Sequence, residues 1–314
     1  MNDFDHIPVL LAEVVQLLQP QPGALFIDGT VGAGGHAAAV LEATAPNGRL
    51  LALDKDAEAV TFARQQLDAF ADRVTLIQAS YVEMGRLAPA HGFAAVDGIL
   101  LDLGLSSRQL DDSRRGFSFM REGPLDMRFD TTQGPTAADL LNNLSAEELA
   151  DIFWRYGEER HSRRLARSIV AHRQAQGAFT TTTQLAEFIE GQSGRRQRTH
   201  PATRIFQALR IAVNDELAAV EQGVETAVSL LKAGGRLAVI SFHSLEDRFV
   251  KHYFRQQSQD CICPPAQPVC TCQAQATLRL VTRKVVVAAP EEVAANPRSR
   301  SARLRVAERI RETS

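Results

Sequence analysis

The chain has 314 residues, 45% hydrophobic and 23% charged, with a formal net charge of −2. That balance excludes an intrinsically disordered or collagen-like chain and leaves room for one large domain or two ordinary ones. No apolar run reaches the roughly 20 residues needed to span a bilayer, and the acidic start Met1-Asn2-Asp3-Phe4-Asp5 lacks the positive region of a leader, so a soluble cytoplasmic protein with no membrane partner is expected.

The first third alternates strands and helices. Ala24 to Ile27 is a short apolar run, followed by a Gly-rich loop from Asp28 to His36 and a helix over Ala37–Ala43. Arg49–Leu53 is a second strand, ending in Asp54. Ala59, Val60, Ala63 and Leu67 share one face of a helix predicted over Asp56–Phe70. Val74–Ile77 and Val96–Leu101 complete a βαβαβ pattern, which implies a parallel sheet covered on both faces.

The alternation then stops. A loop rich in Gly, Pro and Asp runs from Asp111 to Thr136, and helices are predicted over Ala146–Tyr156, His161–Gln174 and Thr183–Glu190. Ser145 with Glu148 forms a capping box for the first of these, and Thr180 to Thr183 supply a cap for the last. A long helix is predicted from Ala202 to Leu231, then a fifth strand over Arg236–Phe242, then a helix opened by a capping box at Ser244. Leu278–Ala288 is rich in β-formers, enough for two strands, and Arg298–Arg311 holds six Arg. The fold class is therefore α/β, Rossmann-like, with an inserted, mainly helical domain. The expected division is 1–109 for the first part of the α/β domain, 110–212 for the insert, and 213–314 for the second part with a basic C-terminal tail.

Charge follows that division. Residues 1–110 carry 13 acids against 6 bases, residues 111–212 carry 13 against 15, and residues 213–314 carry 11 against 14. Of the 35 bases, 31 are Arg, whose planar fork suits phosphate oxygens, although a GC-rich genome accounts equally well for that ratio.

In an open parallel sheet, ligands bind beyond the carboxyl ends of the strands. The loop after the first strand reads Gly29-x-x-Gly32-x-Gly34-Gly35. That spacing is not the dinucleotide fingerprint, so an NAD-dependent oxidoreductase is disfavoured. A compact loop suits a ligand without a pyrophosphate, such as S-adenosylmethionine. Asp28 can fix the loop or hold an amino group, and the amide of His36 opens a helix where a carboxylate can bind. Asp54 can accept both ribose hydroxyls or cap the next helix, a task Asp56 can take instead. Tyr81 can flank an adenine, or be a partly buried aromatic. Asp102 ends the fourth strand and points at the same cleft. Four strand ends with suitable groups carry more weight together than any one of them.

The segments Asp28–His36, Asp97–Ser107, Gln109–Asp112, Arg115–Met120, Gly123–Arg128, Tyr156–Arg160, His200–Arg204 and Ser241–Arg248 resemble the ribosomal RNA small subunit methyltransferase H family almost end to end. The resemblance implies an enzyme that uses S-adenosylmethionine to methylate N4 of a cytidine in the decoding centre of 16S rRNA, in the small ribosomal subunit. It implies cofactor contacts from Gly34, Gly35, His36, Asp54, Tyr81, Asp102 and Gln109, with Tyr81 at a position where the family also carries Phe. It implies that the insert helps to recognise RNA. A cofactor-binding RNA chaperone without catalysis is the alternative of another class.

Many amino-methyltransferases follow the fourth strand with an acid or amide, two prolines and an aromatic. This chain has Asp102-Leu103-Gly104-Leu105, so no catalytic residue can be assigned by that analogy. Phe117, Phe119, Phe242 and Arg204 are candidates to meet the substrate, and His243 is a weak catalytic candidate. The core is the more ordinary place for each phenylalanine, and a structural role is at least as ordinary for His243. Arg163, Arg164 and Arg167, then Arg195, Arg196 and Arg198, then Arg298, Arg300, Arg303 and Arg305 offer phosphate contacts or simply a solvated face. Cys261, Cys263, Cys270 and Cys272 have spacing tighter than usual zinc pairs, so a reduced loop is expected, with zinc as the weaker alternative. The oligomeric state stays open, a homodimer among the options.

Overall fold

The computed structural model describes residues 8–192, 200–261, 263, 267, 269, 271–272 and 274–311. The chain divides into two compact units, one of residues 1–104 and 219–314 and one of residues 105–218. The unit boundaries thus fall at 104/105 and 218/219, against 109/110 and 212/213 read from the sequence.

The first unit opens with α1 (Leu11–Leu18), then β1 (Leu25–Asp28), α2 (Gly35–Ala43), β2 (Arg49–Asp54), α3 (Ala57–Gln66), β3 (Val74–Gln78), α4 (Met84–Ala90) and β4 (Val96–Asp102). The second unit holds α5 (Ser107–Asp111), α6 (Ala137–Asn143), α7 (Ala146–Gly157), α8 (Ser162–Gln176), α9 (Thr182–Gln192) and α10 (Ala202–Asn214). After α11 (Glu216–Leu230), the chain continues through β5 (Leu231–Ser241), α12 (Ser244–Gln257), β6 (Leu278–Leu280), α13 (Pro290–Ala295) and β7 (Arg303–Arg309).

The seven strands form one sheet in the order β3-β2-β1-β4-β5-β7-β6. The first five are parallel, and β7 runs antiparallel to both neighbours. The order turns back on either side of β1 and β4, which makes their carboxyl ends the switch point. Each strand faces a core on both sides: Ile27, Leu51 and Leu101 on one, Phe26, Leu50 and Leu100 on the other. That explains the almost unbroken apolar runs. In the second unit, Leu149, Phe153, Leu165, Ile169, Leu185 and Leu209 pack the helices together. Among the described residues no helix is long and apolar enough to cross a membrane.

Several expectations need correction. The long helix breaks at Asp215, which closes α10 in a left-handed conformation (φ 50°). The fifth strand begins at Leu231, ahead of the Gly pair, because the chain bulges between Leu231 and Arg236 opposite β4. Leu278–Ala288 supplies one short strand and an isolated bridge from Val286 to Leu304. The basic C-terminal tail is instead β7, hydrogen-bonded on both edges. Arg309 is 5% exposed and donates to the carbonyls of Val228, Ser229 and Leu231 at the end of α11. The Ser145–Glu148 capping box is present as expected.

Close approach fixes Gly98 in the centre of β4. A Cβ there would lie 2.1 Å from Phe26 Cε1, and Phe26 is fully enclosed. Gly98→Ala should therefore destabilise the first unit by about 1–3 kcal/mol through overpacking. The urea midpoint should fall while the slope stays constant; an unchanged midpoint would refute the packing argument.

Candidate functional site

Three carboxyls stand at the carboxyl ends of adjacent strands in the first unit. Asp28 ends β1 and is buried; its Oδ1 accepts the Thr30 amide at 3.0 Å. Burial raises its pKa to about 7 despite that bond, with help from the charge of Asp54. Asp54 ends β2 and holds the loop from β1 in place: Oδ2 accepts the Gly32 amide at 2.9 Å, and Oδ1 accepts the Asp56 amide at 2.9 Å. Burial raises its pKa to about 6. The cap of α3 is Asp56, which accepts the Glu58 amide, so Asp54 is spared that task. Each Asp54 oxygen keeps a second lone-pair site for a ligand hydroxyl.

Asp102 ends β4. Its amide donates to Thr30 Oγ1 at 2.6 Å, which ties the strand end to the loop after β1. Its carboxyl is less provided for. Oδ1 is buried and has no hydrogen-bond partner. Burial, reinforced by the charges of Asp28 and Glu246, pushes its pKa well above the carboxylate range. His36 stands nearest, with Nδ1 3.7 Å from Asp102 Oδ2. Its Nε2 lies 3.0 Å from the Val9 carbonyl, which can only accept, so the ring proton sits there.

The backbone of the first loop is shaped for close approach. Gly34 caps α2 at φ 87°, a left-handed conformation that disfavours a side chain. A Cβ on Gly35 would lie 2.3 Å from Pro8 Cγ. The first-turn amides of α2 have no acceptor within the helix, so this end attracts negative charge. Tyr81 follows β3, its ring against Gly223 of α11, where a Cβ would come within 2.3 Å. The structure thus brings Asp28, Gly34, Gly35, His36, Asp54, Tyr81 and Asp102 to one end of one sheet.

Phe242 and His243 follow β5. Phe242 is half-buried and packs against Gly104. The capping box of α12 falls one residue before the expected Ser244. His243 Nδ1 accepts the Glu246 amide, and Glu246 Oε2 accepts the His243 amide. His243 Nε2 lies 3.1 Å from Glu246 Oε1. His243 thus caps α12 through its Nδ1 and its backbone.

The remaining candidates lie in the second unit. Gln109 Oε1 accepts the Ser106 amide and closes the capping box of α5. Phe117 is 6% exposed and stacks on Phe129, which makes it a core residue. Phe119 packs against His200 and Phe206. Arg204 is exposed in the first turn of α10. Arg195, Arg196 and Arg198 lie outside the described residues. Of the C-terminal group, Arg305 is held by Asp247 at 2.7 Å, whereas Arg300 and Arg303 are exposed.

A groove of about 1100 Å³ runs between α7 and α8. Arg160, Arg163, Arg164 and Arg167 line it together with Glu147 and Asp151; Arg164 donates to the Gln192 carbonyl and Arg167 to that of Arg163, and no ion pair of these arginines is seen among the described residues. Arg163 and Arg164 occupy the first turn of α8, where the helix dipole disfavours cations, and no acid accompanies them there. Trp154 lines the same groove and is 59% exposed. The sequence reading gave Trp154 no role. The signal was its register: Glu147, Asp151 and Trp154 share one helix face, off the stripe of Leu149, Ala150 and Phe153. A tryptophan aligned with two carboxylates faces water.

The chain matches the family model described as the MraW methylase family over residues 3–310. It is 54% identical to the ribosomal RNA small subunit methyltransferase H of Thermomicrobium roseum, over 97% of this chain and 94% of that one. It is 54% identical to the protein of the same name from Syntrophotalea carbinolica, covering 98% of each, and 49% identical to that of Heliobacterium mobile, covering 98% of this chain and 100% of the other. With a match of that extent, the chain belongs to the MraW methylase family.

Proposed function

We propose that this chain is a cytoplasmic, S-adenosylmethionine-dependent methyltransferase of small-subunit rRNA, acting on N4 of a cytidine in the decoding centre of 16S rRNA. The observation that carries the cofactor assignment is the trio of carboxyls at the ends of β1, β2 and β4, Asp28 buried and Asp54 and Asp102 half-buried. The ligand that suits them is positively charged. S-adenosylmethionine supplies the methyl group to be transferred, and its sulfonium and ammonium give the charge required. The residues present fit it, because Asp102 Oδ1 is a buried acceptor without a donor and Asp54 retains acceptor capacity towards hydroxyls.

In this reading Asp54 holds the ribose, Tyr81 flanks the adenine, and Gly34, Gly35 and His36 receive the carboxylate at the start of α2. Asp28 and Asp102 face the cationic portion. The contribution of Gln109 rests on the family resemblance, whereas Phe119, Phe242 and Arg204 are substrate candidates read from the sequence. The rRNA substrate is supported by the names of relatives with half the sequence in common. The α7–α8 groove supports it too: unpaired guanidiniums suit phosphates, and an exposed Trp154 ring offers a stacking face to an unpaired base.

Labelled S-adenosylmethionine incubated with small subunits tests the reaction. Label should appear in rRNA, and nucleoside mass spectrometry should find it on N4 of cytidine; label on any other atom would refute the substrate assignment. Cofactor binding without any transfer would favour the chaperone reading.

The carboxyls make binding pH-dependent with a definite sign. A bound cation favours their ionised form, so binding releases protons in the window set by pKa values near 6 and 7. Affinity for S-adenosylmethionine should rise by about tenfold between about pH 5 and about pH 8, whereas the uncharged thioether product S-adenosylhomocysteine should show a shallower slope. Asp54→Ala should weaken both ligands at least severalfold. Equal slopes would remove the electrostatic argument, and unchanged affinity in the variant would remove the ribose assignment.

RNA binding separates the two features of the groove. Replacing Arg163, Arg164 and Arg167 with Gln should reduce the slope of log affinity against log salt by about 2, at roughly 0.7 for each single-strand phosphate contact. Trp154→Ala should weaken binding to unpaired RNA by about 1–3 kcal/mol with the slope unchanged. A wild-type slope in the arginine variant would take the groove out of the RNA interface.

A further inference from the structure

The four cysteines fall in the loop between α12 and β6, far in sequence from every residue assigned above. The base of this loop is tightly closed. Thr277 binds Gln257 twice, amide to carbonyl and hydroxyl to side-chain oxygen, each at 2.9 Å. The Ala276 amide donates to Asp260 Oδ1 at 3.0 Å. Beyond the base there is no core. None of the described residues from 258 to 275 is buried, and Val269 is 70% exposed. Apolar packing therefore does not explain why three thiols converge here.

They do converge. The sulfurs of Cys261, Cys263 and Cys272 all lie within 4.8 Å of one another, and those of Cys261 and Cys272 are 3.9 Å apart. No disulfide joins these three cysteines to one another. A tetrahedral zinc site with Zn–S bonds of about 2.3 Å has sulfur–sulfur edges of about 3.8 Å. The separation of Cys261 and Cys272 is already that edge. A second feature points the same way: the backbone amides of Thr271 and Cys272 are directed at the Cys263 sulfur. Amides directed at sulfur stabilise a thiolate, and the thiolate is the form that binds metal.

We propose that Cys261, Cys263 and Cys272 form a structural zinc site. Zinc then does for the α12–β6 loop what a hydrophobic core does elsewhere, closing the segment between Cys261 and Cys272. Binding Zn²⁺ displaces the thiol protons, one from each cysteine still protonated, so the site loads more readily as pH rises. The site is remote in sequence from the carboxyl trio, and its role is to hold the loop rather than to transfer methyl groups. Cys270 lies outside the described residues and plays no part in the argument.

Untagged protein, expressed with zinc in the medium and purified under reducing conditions without chelator, provides the test. Elemental analysis should find about one zinc per chain in the wild type. Cys261→Ser, Cys263→Ser and Cys272→Ser should each lower that content at least severalfold. Replacing zinc with Co²⁺ in the wild type should give thiolate-to-cobalt charge-transfer absorption, a readout that does not depend on a variant folding. A wild type without zinc, a zinc content unchanged in all three variants, or a disulfide among these cysteines in protein handled without reductant would each overturn the proposal.

Discussion

The first unit is organised around three desolvated carboxyls at neighbouring strand ends, which among the described residues have no lysine or arginine paired with them. Other acids of that unit do have such partners. Asp97 has Lys232 at 3.0 Å, Glu308 has Arg236 at 3.2 Å, and Asp247 has Arg305 at 2.7 Å. Among the described residues, the base beside the carboxyl ends of β1, β2 and β4 is His36, whose Nδ1 is 3.7 Å from Asp102. Desolvation therefore falls on the carboxyls and raises their pKa values. Such an arrangement lowers stability and is maintained where a site needs its charge unneutralised.

The loop from Asp28 to Gly35 depends on the same carboxyls. Gly32 is bound by Asp54, Thr30 by Asp28, and the Asp102 amide by Thr30 Oγ1. Further bonds join Gly29 to Leu100 and Val31 to Leu53. The loop is thus fastened to both neighbouring strands, and its glycines carry the conformations and close contacts that this position imposes. A cofactor meeting this surface meets a fixed set of acceptors and amides, which is the condition for recognition without a large ordering cost.

Local pattern made the parallel strands legible, because a strand covered on both faces reads as an apolar run. The positions that escaped were decided by tertiary context. Asp215 stops a helix by its own left-handed conformation, inside a periodic pattern that continues on both sides. The Arg-rich end of the chain read as a tail because its guanidiniums find partners distant in sequence: Arg309 on α11, Arg305 on Asp247. His243 looked available for chemistry because its capping partner is the amide of Glu246, a contact that a residue type does not announce. Motif residues also divide by task. Asp97 binds Lys232 and the Leu25 amide at the start of β1, while Asp102, five positions later in the same motif, bears the site. Arg115 donates to the carbonyls of Arg128 and Phe129, and a Cβ on Gly116 or Gly123 would run into backbone. Those motifs build the loop of the second unit before they do anything else.

The distribution of charge can now be read by partner rather than by count. The last third has the larger surplus of bases, yet Arg236, Arg305 and Arg309 are tied to carboxylates or carbonyls inside the first unit. Those bases stabilise a fold and have little left for phosphate. The insert has the smaller surplus, but among the described residues its α8 cations Arg163, Arg164 and Arg167 are in no ion pair, bind at most one exposed carbonyl each, and stand beside an exposed indole. An unpaired guanidinium can bind an oxyanion without first breaking an ion pair, so it contributes more to association than a paired one of equal formal charge. The acidic first third obeys the same rule with the sign reversed: what matters is not its many acids but the three desolvated at neighbouring strand ends, which among the described residues have no lysine or arginine partner.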